Sequence, residues 1–138
     1  MDSLHSRLAK ICTAHGIKIL YLFGSRGLEF YYYLHGAGPP PSPGESDLDV
    51  GVLPASPLSV QQKVELTLRL EELFNVPRID LVVLTEADPF LAANIIRGER
   101  AFAENEYDAD EYDLYVLRRA GDLAFYERQR MDMILKGA

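Results

Sequence analysis

Two aspartates set two residues apart within an apolar run constrain this chain more than any other feature. The run is Asp47-Leu48-Asp49-Val50-Gly51-Val52-Leu53. Residues two apart on a β-strand project to the same face, so Asp47 and Asp49 stand together while Leu48, Val50 and Val52 turn the other way. Adjacent carboxylates repel each other and lose solvation on burial. A divalent cation, which takes oxygen ligands, is the usual reason for such a pair. A third acid opens a further apolar run, Asp80-Leu81-Val82-Val83-Leu84. Ahead of both lies Lys18-Ile19-Leu20-Tyr21-Leu22-Phe23, a strand pattern that ends in Gly24-Ser25. Ligands of α/β proteins bind beyond the C-terminal ends of strands. A helix starting near Ser25 would favour an anion there through its free N–H groups. Taken singly, each piece has a plainer role: a turn glycine, an N-cap serine, an acid paired with a neighbour such as Arg78. Together they describe a site for metal and nucleotide phosphates.

The rest of the chain reads as helices and strands around that site. Leu4, Leu8, Ile11 and Cys12 recur at helical spacing over residues 2–15, and Gly16 stops the helix. Cys12, the only cysteine, reads as a small core residue; a lone cysteine excludes an internal disulfide and fits a reducing compartment. His5 and His15 read as surface residues of that helix. The pattern predicts strands over 17–23, 78–84 and 101–103, and helices over 59–74, 88–97 and 107–135. Asp88 is the expected N-cap of the 88–97 helix, with Pro89 at its first position. The 78–84 strand is apolar almost throughout, which predicts a central strand covered on both faces.

Residues 26–46 read as an inserted, mobile loop. Its aromatic start, Glu29-Phe30-Tyr31-Tyr32-Tyr33-Leu34-His35, suits a continuing helix, but the Gly- and Pro-rich 36–44 stretch excludes helix or inner strand. The loop is either a tolerated insertion or a lid or docking surface, and His35 is the histidine nearest the site in sequence. Six acids and no base lie between 104 and 113, the pattern of a solvated loop and helix start. The aromatic and apolar positions of the last helix exceed one narrow stripe, so one face is expected on the sheet and the rest against another subunit.

The 138 residues suit one domain, with no repeat. A net charge of −7 argues against nucleic-acid backbone as a partner. No apolar run approaches the ~20 residues of a membrane helix, and Met1-Asp2-Ser3-Leu4-His5 shows no signal-peptide pattern. A cytoplasmic location is expected.

Leu22-Phe23-Gly24-Ser25-Arg26, then Ser46-Asp47-Leu48-Asp49-Val50, then Ile79-Asp80-Leu81-Val82 resembles the minimal nucleotidyltransferases of the DNA polymerase β-like superfamily. The resemblance spans roughly residues 15–100. It implies an α/β (α+β) fold, a small mixed β-sheet flanked by helices, with a long C-terminal helix. It implies transfer of AMP from ATP to a hydroxyl acceptor with two Mg²⁺ ions. By position, Gly24 and Ser25 would hold the triphosphate, and Arg26 would reach a phosphate. Asp47 and Asp49 would ligate metal, and Asp80 would complete a metal site and help deprotonate the acceptor. Small members of this family act as antitoxins beside HEPN-domain toxins, and some transfer AMP to a toxin tyrosine, so a HEPN protein is the expected partner. The chain departs from the family pattern twice. Twenty-one residues separate Ser25 from Asp47, a longer spacing than the family's, and Glu29 stands near a family glycine. Those departures also admit a catalytically silent binding module, and the acidic balance admits a small-molecule nucleotidyltransferase of the aminoglycoside type.

Overall fold

The computed structural model describes residues 2–41 and 47–136. Its elements are α1 (Leu4–Ala14), β1 (Ile17–Phe23), α2 (Gly27–Leu34), β2 (Leu48–Pro54), α3 (Val60–Phe74), β3 (Ile79–Val83), α4 (Pro89–Ile96), β4 (Glu99–Ala103) and α5 (Glu106–Leu135). A 3₁₀ turn, Leu84–Glu86, joins β3 to α4. The strands form one mixed sheet in the order β3-β2-β1-β4, with β2 and β3 parallel and the other pairs antiparallel.

Burial explains that order. All of β1 except Lys18 is buried, and its side chains feed both faces of the sheet. Leu20 and Leu22 join Val50, Val52 and Leu48 under α1, α2 and α3. Ile19, Tyr21 and Phe23 pack on the opposite side with Ile95 and Ala93 of α4 and Ala109 and Val116 of α5. A register shift between Ile17 and Ile19 sends these two residues, normally on one face, to opposite cores. Helix ends follow their local chemistry. Ser59 and Gln62 form a reciprocal capping box at α3, and Asn75 closes it in the left-handed conformation at φ 54°. Asp88 accepts from the N–H groups of Phe90 and Leu91, each at 2.9 Å, with Pro89 next in sequence as expected.

Three expectations need correction. The 78–84 run is not a central strand: β3 is an edge strand, and only Ile79 and Val83 in it are buried. Its apolar side chains cover the sheet faces, Leu81 on one core and Val82 on the other; covering faces does not require a second hydrogen-bonded neighbour. The 26–46 stretch is not loop throughout, because Gly27–Leu34 is helical and Phe30 and Leu34 anchor it in the core. The part of the Pro-rich segment over 42–46, Ser46 included, lies outside the described residues. The acids after residue 103 are not merely solvated. Arg100 of β4 donates to Glu106, Asp110 and Asp113 at 2.9, 2.9 and 2.7 Å, and the buried Tyr21 hydroxyl donates to Asp113. This network ties α5 to the central strand.

Cys12 is fully buried, and burial pushes its thiol up from 9.0 to about 12. Only the thiolate reacts, so the native chain is expected to be inert to Ellman's reagent at pH 8 and to release one equivalent after unfolding in guanidinium. Prompt native-state reaction would show that α1 opens. Because the folded value is raised, the stability tied to this thiol is complete below pH 9 and lost as the pH climbs from there towards 12.

α5 runs through Gly121 without interruption. Nothing lies within 4 Å of the place a Cβ would take at Gly121. Gly121→Ala is therefore expected to stabilise the chain by about 0.5–1 kcal/mol, read as a higher denaturation midpoint. A lower midpoint would mean that the glycine serves a bend.

Candidate active site

The site forms where β1 ends and β2 and β3 begin. Phe23, the last residue of β1, is paired across the antiparallel ladder with Asp49, and Asp49 is in turn in register with Asp80 on the parallel neighbour. The two acids thus occupy matching positions on adjacent strands. Asp47 directly precedes β2. Burial and the nearby carboxylates of Asp80 and then Asp47 hold the Asp49 carboxyl above its ordinary range. That perturbation has a direct reading: the carboxylate is partly desolvated and negative charge is crowded here.

The chain leaves β1 through Gly24, whose φ of +74° only glycine adopts readily. A Cβ at Gly24 would lie 2.1 Å from Asp49 Oδ2. The turn is therefore pressed onto the carboxylate, and glycine is required for conformation and for space. Gly27 N–H returns to Gly24 O at 3.3 Å to start α2. Gly24 and Ser25 are exposed beside the acids. Ser25 is not the N-cap; that position falls to Arg26, which makes no side-chain cap.

Arg26 is largely buried. It is 8% exposed, its Nε donates to Glu29 at 2.7 Å, and its guanidinium lies 4.8 Å from the centre of the Phe30 ring. The acid that stands in place of the family glycine thus has its charge matched from within the same helical turn. Sequence reasoning treated Arg26 and Glu29 separately. Their i,i+3 spacing on a helix was the signal that joins them. Arg78 faces Asp47, at 3.6 Å, and not Asp80.

Gly98 packs against the end of β1 as well. A Cβ there would meet Leu22 O at 2.6 Å and Phe23 Cβ at 2.8 Å, so Gly98 lets β4 approach the strand that carries the turn. His35 is elsewhere. It packs on Tyr31 and His5 at ring separations of 4.5 and 5.3 Å. All three line a cavity of about 500 Å³ beside β4 whose lining includes none of the three aspartates.

The donor set suits a hard divalent cation, since carboxylate oxygens are its preferred ligands. Asp49 and Asp80 are already together; among the described residues, no three Asp, Glu, His or Cys side chains are gathered closely enough to enclose an ion. The third carboxylate, Asp47, is held by Arg78. That pair is exposed, 77% at the arginine, and such pairs contribute ~0–1 kcal/mol. Turning Asp47 towards its neighbours therefore costs little beside what a bound cation supplies.

A mixed sheet with a Gly-Ser turn over paired strand-borne acids defines a nucleotidyltransferase-type domain. The family model described as polymerase beta, nucleotidyltransferase matches residues 6–108, and the chain belongs to that family. Similar solved structures come from toxin–antitoxin complexes. One contains tri-AMPylated HEPN toxin from Shewanella oneidensis with its MNT antitoxin (18% identity, 96% of each chain covered, TM-score 0.65). Another is a toxin–antitoxin complex with AMP-PNP (19% identity, 95% of this chain and 98% of that one, TM-score 0.65). A third is the MntA–HepT pair (18% identity, 96% and 97% covered, TM-score 0.65). No curated protein matches the sequence. No helix among the described residues is long and apolar enough to cross a membrane.

Proposed function

We propose that this protein is a Mg²⁺-dependent adenylyltransferase that moves AMP from ATP to a tyrosine hydroxyl of a HEPN toxin, and so acts as its antitoxin. The observation that carries this reading is the in-register Asp49–Asp80 pair pressed against Gly24. Gly24 and Ser25 hold the triphosphate, with the exposed turn leading into the N-terminus of α2. Asp47, Asp49 and Asp80 would hold two Mg²⁺ ions. When bound, the metal activates the attacking oxygen and neutralises charge on the leaving pyrophosphate. Asp80, the most exposed of the three, stands where an acceptor hydroxyl arrives and takes its proton. The tyrosine oxygen bonds to the α-phosphorus, the bond from that phosphorus to the bridging oxygen breaks, and pyrophosphate departs. Arg26 serves the site indirectly, by neutralising Glu29 and seating α2 on Phe30. That neutralisation favours an active enzyme over a silent binding module, since the misplaced acid no longer opposes phosphate. The reading places the protein in the cytoplasm, with its ATP. It shares with the solved complexes a fold and an expected partner type.

The test is label transfer from α-³²P-ATP with Mg²⁺ to the protein encoded beside this one, expected to be a HEPN toxin. Label on a toxin tyrosine, absent with Asp47→Asn and in EDTA, is the expected result. A stable complex that forms without label transfer, and still silences the toxin, would overturn catalysis in favour of neutralisation by contact.

A further inference from the structure

α5 is longer than the body it packs on. Its buried residues are Ala109, Val116 and Ala120, and none follows Ala120. The fifteen residues from Gly121 to the end of the helix carry Phe125, Tyr126, Met131, Met133, Ile134 and Leu135, each 47–76% exposed. A helix of that length is marginal alone in water, and Gly121 at its root weakens it further. The arm calls for a cover, and its charge indicates which.

The helix is electrically polar. Its first third holds Glu106, Asp108, Asp110, Glu111 and Asp113 and no base; its last third is neutral, with Arg128 and Arg130 against Glu127 and Asp132. A parallel copy would set the two acidic starts against each other, whereas an antiparallel copy lays Arg128 and Arg130 of each helix along the other's acidic start. One outward stripe fits that register residue by residue. Tyr115, Arg119, Asp122 and Tyr126 follow at steps of four, three and four, the repeat of a helix–helix seam. Tyr115, Arg119, Asp122 and Tyr126 are all exposed. With the symmetry axis between positions 120 and 121, Arg119 meets Asp122 of the second copy, and Tyr115 meets its Tyr126. Each contact occurs twice, as a two-fold interface demands.

We infer that α5 pairs with the α5 of a second copy of this chain, antiparallel, about an axis between Arg119 and Asp122. The inference concerns a surface apart from the active site and stands whether or not the chain transfers AMP.

Sedimentation velocity on the full chain alone tests it. The expected mass is twice 15.5 kDa. Arg119→Glu sets acid against Asp122 at both symmetric contacts and is expected to weaken the dimer at least about tenfold, about 1.4 kcal/mol. Arg119→Glu combined with Asp122→Arg should restore it. Circular dichroism on each variant checks that the helix is kept. Orientation is read from oxidative cross-linking of an equimolar mixture of Tyr115→Cys and Tyr126→Cys chains. The mixture should yield the mixed disulfide, while Tyr115→Cys alone should not, since the two copies of that position lie about 16 Å apart along the seam. A monomer at micromolar concentration, or equal cross-linking of Tyr115→Cys alone, overturns the inference. So does a monomer whose Arg119→Glu variant loses its HEPN partner, which assigns the arm to the toxin.

Discussion

Asp49→Asn is expected to lower AMP transfer by at least about a thousandfold, roughly 4 kcal/mol of transition-state stabilisation. Asn preserves the volume and hydrogen bonding of Asp49 but not its charge. Asp49 is the acid that all other parts of the site converge on: it pairs with Phe23 on one side and Asp80 on the other, and Gly24 is packed on its carboxylate. No other carboxylate takes that position. The same substitution is expected to leave the metal-free fold at least as stable as before. Burial and the neighbouring acids disfavour the ionised Asp49 carboxyl, and the neutral amide escapes that cost. The pairing of outcomes is diagnostic: initial rates of pyrophosphate release should collapse, while the melting temperature in EDTA holds or rises. Activity within tenfold of the parent would remove Asp49 from the mechanism.

Gly24→Ala is expected to cost about 1–3 kcal/mol of stability through its left-handed backbone and at least about a hundredfold in activity. The second figure rests on geometry. The new methyl would begin 2.1 Å from Asp49 Oδ2, so turn and carboxylate must separate by an ångström or more, and misplacement on that scale costs about 10² in rate. Gly36→Ala is the matched control. Gly36 has nearly the same φ, +72°, with nothing within 4 Å of its would-be Cβ. It should show the backbone cost alone, with transfer intact. Equal losses at both positions would reduce the Gly24 effect to general destabilisation.

The two tyrosine-rich segments are used differently. Tyr31 and Tyr33 of α2 are packed against the core around Phe30, so most of the aromatic run that suggested a lid is spent on holding α2. Tyr32 is the exposed member, at 51%. On α5, Tyr112 packs on the core while Tyr107, Tyr115, Phe125 and Tyr126 stay exposed.

The catalytic candidates were legible because their spacing carries chemistry locally. Asp47 and Asp49 two apart, an acid opening a later strand, and a glycine ending an earlier one need no knowledge of the fold. The helix cap at Asp88 was legible for the same reason, since a cap bonds within three residues of itself. Tertiary structure alone decided the rest. Apolar side chains on both faces of a strand report burial and say nothing of its hydrogen-bonded neighbours, so the edge position of β3 was hidden. The opposition of Asp49 and Asp80 depends on parallel register across the α3 crossover. The clamp of three α5 acids on Arg100, and the matching of Glu29 by Arg26, depend on which way long side chains turn once their backbones are placed. Sequence determined which residues can do the chemistry; packing decided which of them meet, because the distances that set charge and metal binding exist only after the strands are aligned.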